Sequence, residues 1–287
     1  MSDALNVLSF RPINQAHAIV EAVFFYQFTP AFSDAALRRL SELEIELRDE
    51  LPKVSPIQKL ETRIEHNPDG RISQFIEKVA GIEFRKLASN GDVEWLLRVT
   101  EDTIAVHCLD YTSWEQIWPR AQRYLQQASR HSEGESNFLS VMGMKYVDRF
   151  VYEGPLSGYD ARLLFAEEPL LLPQQFLTTK PLWHCYTGWF ESLDDLEPDC
   201  LNQLNVDAAF VNLDGQKRHV TTIEHTAVVN LSDNASANLA LNGGITAEAG
   251  KGLPRHIMEL LHDHNKRLLA RLLNNDIIRR IKLGVSI

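Results

Sequence analysis

Histidine is the residue type here best suited to hold a metal or move a proton near neutral pH, and the chain has ten. His184, His219 and His225 fall on segments whose alternation reads as strands, whereas His256, His262 and His264 fall on the helical stretch that closes the chain. A divalent metal needs three or four ligands that converge. His262 and His264 stand two apart, so on a helix they point about 200° away from one another, while His219 and His225 share one face of a strand six residues apart. There is no HExxH, no CxxC and no HxH on a strand, so no metal site is expected. A metal-dependent hydrolase using His184, His219, His225 and nearby carboxylates stands as one alternative for function.

Carboxylates gather in Asp194-Asp195-Leu196-Glu197-Pro198-Asp199, a run that could hold a divalent cation but lacks the glycine-bent loop of calcium sites and reads as a solvated loop. Glu83-x-Arg85-Lys86 has the residue types of a metal-dependent nuclease strand and equally those of an ordinary charged strand face. Phosphate cradles and activated nucleophiles are missing, with no GxxxxGK[ST], GxGxxG or GxSxG. Glycines at Gly243-Gly244 and Gly250-Lys251-Gly252 precede a helix whose start could attract an anion, with Lys251 close by; the surrounding 232–252, rich in Asn, Ala, Ser and Gly, reads as a flexible loop. No catalytic residue and no cofactor is assigned.

Binding chemistry is better represented. Between Lys251 and Ile287 eight basic residues, Arg267, Arg271, Arg279 and Arg280 among them, face three acidic ones, a surplus of five positive charges in a chain whose net charge is −10. That strip could meet a polyanion, or could serve the helix dipole and the acidic remainder of the molecule. Phe24, Tyr26 and Phe28 alternate onto one strand face, and Trp183 and Trp189 share a face on another; such rings stack on bases or pack beneath helices. The candidate binding residues are therefore Arg267, Arg271, Arg279, Arg280, Lys251, Trp183 and Trp189.

The elements that must position them follow from periodicity. The first half reads as a strand at 18–28, a helix over Phe32 to Leu51 with apolar Phe32, Ala36, Leu40, Leu43 and Leu47, strands at Gln58 to His66, Gly81 to Ala88, Val93 to Thr100 and Thr103 to Leu109, and a helix over Ser113 to Arg130. The second half repeats the order: a strand at Phe138 to Tyr152, a short helix at Ser157 to Glu167, strands at Leu170 to Leu177, Trp183 to Leu193, Asn205 to Leu213 and His219 to Leu231, and a long helix over Pro254 to Lys282. The expected fold class is α+β, with two similar β-α-β(4)-α halves at 1–132 and 133–287, antiparallel sheets backed by helices, and flexible loop 232–252 before the closing helix. This element order resembles the duplicated fold of the TATA-binding protein.

At 287 residues and 44% hydrophobic the chain can build a sizeable core. Its three cysteines, Cys108, Cys185 and Cys200, leave one over in any disulfide scheme, which fits a reducing compartment. No stretch approaches the ~20 apolar residues of a membrane span and no leader pattern opens the chain, so a cytoplasmic protein with no membrane partner is expected.

Three landmarks, the opening 18–28, Val141-Met142-Gly143-Met144-Lys145-Tyr146-Val147-Asp148-Arg149-Phe150, and Leu260-Leu261-His262-Asp263-His264-Asn265-Lys266, together resemble a sporadically distributed family of uncharacterised prokaryotic proteins over nearly the whole chain. The family's central landmark usually reads Leu-Arg-Tyr-Ile/Val-Asn/Asp-Arg; Met144-Lys145 replaces its first two residues here. The resemblance implies no activity or cofactor, and its patchy occurrence implies an accessory role in a prokaryotic defence or mobile-element system. Taken together, the expectation is a non-enzymatic cytoplasmic binding or interaction protein that self-associates or holds a neighbouring gene product, with a nucleic-acid-binding protein using the sheet aromatics and basic closing helix as the other alternative.

Overall fold

Strand β2 (Ile19–Thr29) is built from β-branched and aromatic residues, and its alternation decides what the sheet covers: Phe24, Tyr26 and Phe28 all turn inward and are buried. The computed structural model describes residues 9–67, 70–131, 137–167, 169–178, 180–193, 196–213, 215–231 and 248–284, with the backbone alone for 60–77, 197–198 and 248–253. The fold class is α+β, a large antiparallel sheet backed by helices and a helix closing the chain. The chain divides into two compact units, Phe24–Val141 with Ala235–Lys251, here the N-terminal unit, and Met1–Val23 with Met142–Asn234 and Gly252–Ile287, here the C-terminal unit.

In the N-terminal unit the strands run in the order β3-β4-β5-β6-β2, with β3 Lys53–Asn67, β4 Gly70–Leu87, β5 Val93–Val99 and β6 Thr103–Cys108. Ser33 caps α1 (Asp34–Arg39) by accepting the Ala36 amide at 3.1 Å. The run continues through a 3-10 turn at Leu40–Glu42 into α2 (Leu43–Leu47). The expected single helix is thus three short pieces, yet Ala36, Leu40, Leu43 and Leu47 keep their stripe and are buried. Helix α3 (Trp114–Arg130) lays Trp114 and Trp118 against Phe24, ring centres 5.9 and 5.4 Å away. Strands β3 and β4 extend well beyond the expected segments, and β3 carries Pro56, which a terminal strand tolerates because its outer amides need no ladder partner.

In the C-terminal unit the order is β7-β10-β9-β8, with β7 Phe138–Tyr152, β8 Trp183–Leu193, β9 Leu196–Leu213 and β10 Gln216–Asn230; β1 (Phe10–Pro12) pairs antiparallel with β7. The β9–β10 hairpin turns at Gly215, whose φ of +75° suits a residue without a Cβ. The expected strand over Leu170–Leu177 is instead a turn leading into a 3-10 stretch at Gln174–Thr178, and the expected helix over Ser157–Glu167 is two 3-10 turns, Leu156–Gly158 and Ala161–Leu163. Pro169 and Pro173 flank the apolar run 170–172, and a strand cannot spare those amides. The second half therefore has three strands where four are expected after its first.

The closing helix differs in the same way from the continuous helix expected over Pro254–Lys282. Helix α4 (Glu248–Leu272) ends where Leu273 forms a β-bridge with Phe165, and Asn274 then caps α5 (Asn275–Arg280) by accepting the Ile277 amide at 2.9 Å. Leu268, Leu269, Leu272 and Ile277 pack with Phe150, Trp183, Leu204 and Ile223 into one buried core. Of loop 232–252, residues 232–247 lie outside the described residues. Among the described residues no helix is long and apolar enough to cross a membrane.

Candidate binding surface and the polar network behind it

Strand β8 alternates sharply. Trp183, Cys185, Trp189 and Leu193 turn toward α4 and the core, while His184, Tyr186 and Phe190 turn outward; Tyr186 is 60% and Phe190 70% exposed. The inward tryptophans are locked by their polar ends. Trp183 donates from Nε1 to the Tyr159 hydroxyl at 2.9 Å and lies between Phe165 and Phe176. Trp189 donates to Glu191 Oε2 at 3.0 Å. Glu191 also faces α4, with Arg271 Nη1 3.8 Å from Oε1 and His264 Nε2 4.0 Å from Oε2. Trp189 and Arg271, both named from sequence, are thus brought together on a glutamate that was not.

Behind Glu191 lies a buried polar network. Asn202 on β9, fully buried, donates to the Cys200 carbonyl at 3.4 Å, which leaves its Oδ1 facing His264 Nε2 at 2.7 Å and His225 Nε2 at 3.0 Å. An amide oxygen can only accept, so both imidazoles carry their proton on Nε2. The Asn265 side-chain oxygen lies 2.8 Å from His225 Nδ1, and a neutral His225 that donates from Nε2 requires this amide to be turned about so that its NH2 group faces Nδ1. Burial pulls the pKa of His225 down to about 4, and burial likewise lowers that of His264, with Glu191 opposing. The network is neutral at pH 7 and buried, so its chemistry is positional: it ties β9 and β10 to α4 beneath β8.

The three histidines of the hydrolase alternative do not converge. His184 is exposed on the outer face, 3.7 Å from Asp207 across β8–β9. His219 and His225 share the inner face of β10, but His219 donates from Nε2 to the Pro181 carbonyl at 2.6 Å, edged by Tyr159 and Phe210. Among the described residues no group of three or more His, Cys, Asp or Glu is placed to hold a metal ion. Of the carboxylate run 194–199, Asp194 and Asp195 lie outside the described residues; β8 and β9 pair at Leu193↔Leu196, and Asp199 on β9 accepts from Ser192 on β8. Glu83, which pairs with Arg85 and receives Arg98 Nε at 2.6 Å, is buried, and Lys86 pairs with Glu94 at 2.6 Å; the charges of the Glu-x-Arg-Lys segment are taken up in ion pairs within the sheet.

Of the basic strip, Arg267 and Arg279 are exposed, Arg279 pairs with Asp276, and Arg280 donates to the Phe10 carbonyl at 3.0 Å. Arg255 and Lys266 are matched by Glu259 and Asp263 on the same helix. The side chain of Lys251 lies outside the described residues. Phe24, Tyr26 and Phe28 belong to the core and offer no ring to a base. Tyr186, Phe190, Glu191, Asn202 and Asn265 went unremarked in the sequence as site residues, and His264 was weighed only as a metal ligand; the alternation of outward Tyr186 and Phe190 with inward Trp183 and Trp189 along one strand was the signal available.

No protein-family model and no curated protein matches the chain. Among solved structures, it is similar to the Pct1 RNA triphosphatase of S. pombe at 8% identity over 89% of this chain and 86% of that one, with a TM-score of 0.15, a superposition too loose to carry fold or function.

Proposed function

We propose that this chain is a non-catalytic binding protein that holds an extended segment of a partner protein along the outer edge of β8. One observation carries the reading. Among the described residues β8 has a sheet neighbour on one side only, and it is an eleven-residue strand without a lysine or proline that exposes Tyr186 and Phe190, its register regular from Trp183 to Glu191 and shifted only between Glu191 and Leu193. Exposed edges invite pairing, and proteins blunt them with charge, proline or bulges. Strand β3, terminal in the other unit, does so with Pro56, Lys53 and Lys59. An incoming strand would gain main-chain hydrogen bonds from the edge and side-chain contact with the two rings. The three free cysteines support a cytoplasmic setting, and the landmark resemblance supports an accessory component of a prokaryotic defence or mobile-element system.

The paired arginines of α4 and α5 leave less free positive charge for a nucleic acid than the sequence count implies, which favours a protein occupant. The test is purification of the tagged chain from its native host, beside a Tyr186→Lys/Phe190→Lys variant. A protein that accompanies the unaltered chain and is lost with the variant, both unfolding at similar urea concentration, supports the reading. Equal recovery with both, or recovery of a nucleic acid that dissociates steeply with salt, overturns it.

A further inference from the structure

A cleft of about 620 Å³ opens in the N-terminal unit between α1 with its following turn and the β3–β4 pair. That volume falls within the range of small-molecule sites, about 300–1,000 Å³. Its floor is apolar, formed by Leu37 from α1, Pro56 from β3, and Val79 and Ile82 from β4. Val79 is 53% exposed, an apolar side chain open to water where a bound body would cover it. The rim is charged: Lys78 Nζ lies 3.2 Å from Asp34 Oδ1, and Arg38 stands exposed beside them with no carboxylate paired to it among the described residues. Asp34 offsets one of the two cations, so the mouth carries a net positive charge over an apolar floor.

The backbone of β4 is shaped for this. The β3–β4 register passes from Ile57↔Gly81 to Gln58↔Val79, which leaves Ala80 unmatched as a bulge. In a regular strand residues three apart leave on opposite faces; across the bulge Val79 and Ile82, opposite Gln58 and Pro56, share one face and together form the β4 part of the floor. Gly81 is part of the device, because a Cβ there would lie 2.1 Å from the Val99 carbonyl oxygen on β5.

We infer that this cleft binds a small amphipathic anion, an apolar acyl or aryl body on the Leu37–Val79–Ile82 floor with one carboxylate, phosphate or sulfonate group on Arg38. It is a site in the other unit from β8 and does not depend on the edge-strand reading. The probe is 1-anilinonaphthalene-8-sulfonate, titrated by fluorescence and calorimetry into the full-length chain, with the uncharged N-phenyl-1-naphthylamine as its counterpart. The expected result is one saturable site per chain, weakened about tenfold by Arg38→Gln, the size of one charge-assisted hydrogen bond. Val79→Asp should weaken both probes, Arg38→Gln the sulfonate alone, and Tyr186→Lys/Phe190→Lys neither. Many weak sites, sulfonate binding indifferent to Arg38→Gln, or equal loss of both probes in that variant would overturn the inference. Decanoate and decyl phosphate as competitors distinguish a carboxylate ligand from a phosphate one.

Discussion

Asp148 on β7 is 3% exposed, and burial alone pushes its pKa up from the ordinary 3.8 to about 7. Because the folded chain holds this proton more tightly than the unfolded one, the group's effect is most favourable below pH 3.8. It is lost as pH rises through 7. Across the roughly three pH units between the two values, at about 1.4 kcal/mol each, the loss reaches about 4 kcal/mol. Asp148→Asn keeps the shape and cannot ionise, so it should remove that dependence. His225 acts with the opposite sign: its pKa, lowered from 6.5 to about 4, gives stability present above pH 6.5 and lost as pH falls through 4, about 3 kcal/mol in all. Between pH 4 and 6.5 the two contributions offset one another in the natural chain, whereas in Asp148→Asn the histidine effect stands alone and stability falls with acid. Urea unfolding followed by tryptophan fluorescence at pH 4.5, 5.5, 6.5 and 8 reads the difference between the two proteins, in which all other titrations cancel. That difference should grow by about 1.4 kcal/mol per pH unit up to pH 7 in favour of the asparagine. A difference constant to within about 1 kcal/mol across the range would refute the assignment of Asp148 as a buried carboxyl whose proton tracks folding.

Three further outcomes follow from the packing. Asn202→Ala strands two buried imidazole donors, His225 and His264, and should cost about 2–5 kcal/mol in denaturant unfolding; a loss under about 1 kcal/mol would mean that water or a rotated ring replaces the amide. Gly81→Ala drives a methyl group into the Val99 carbonyl and should destabilise by about 2 kcal/mol or more, read as a lower melting temperature. Cys108 and Cys200, free and buried with pKa values pushed up to about 12, should resist a thiol reagent at pH 8 in the native protein and react at once in urea.

Periodicity and turn chemistry determined much of this molecule without reference to any distant contact. Phe138–Tyr152 and Trp183–Leu193 are strands with the bounds their alternation indicates, the stripe Ala36-Leu40-Leu43-Leu47 faces inward, and a hairpin turns at Gly215, because each depends on neighbours within a few residues. Fold class was legible for the same reason. What only the tertiary structure decided is where polar residues find partners. Asn202, His225, His264 and Asn265 are up to 63 residues apart in sequence and carry no shared spacing, yet the β9–β10 register and the docking of α4 bring them within hydrogen-bonding distance. The same holds for Glu191 beneath Trp189 and Arg271, and for Leu273, whose bridge to Phe165 divides a helix that periodicity would continue. A hydrophobic stripe is a property of local sequence; a hydrogen bond or ion pair between distant segments, and the charge it neutralises, exists only once the chain has folded back on itself.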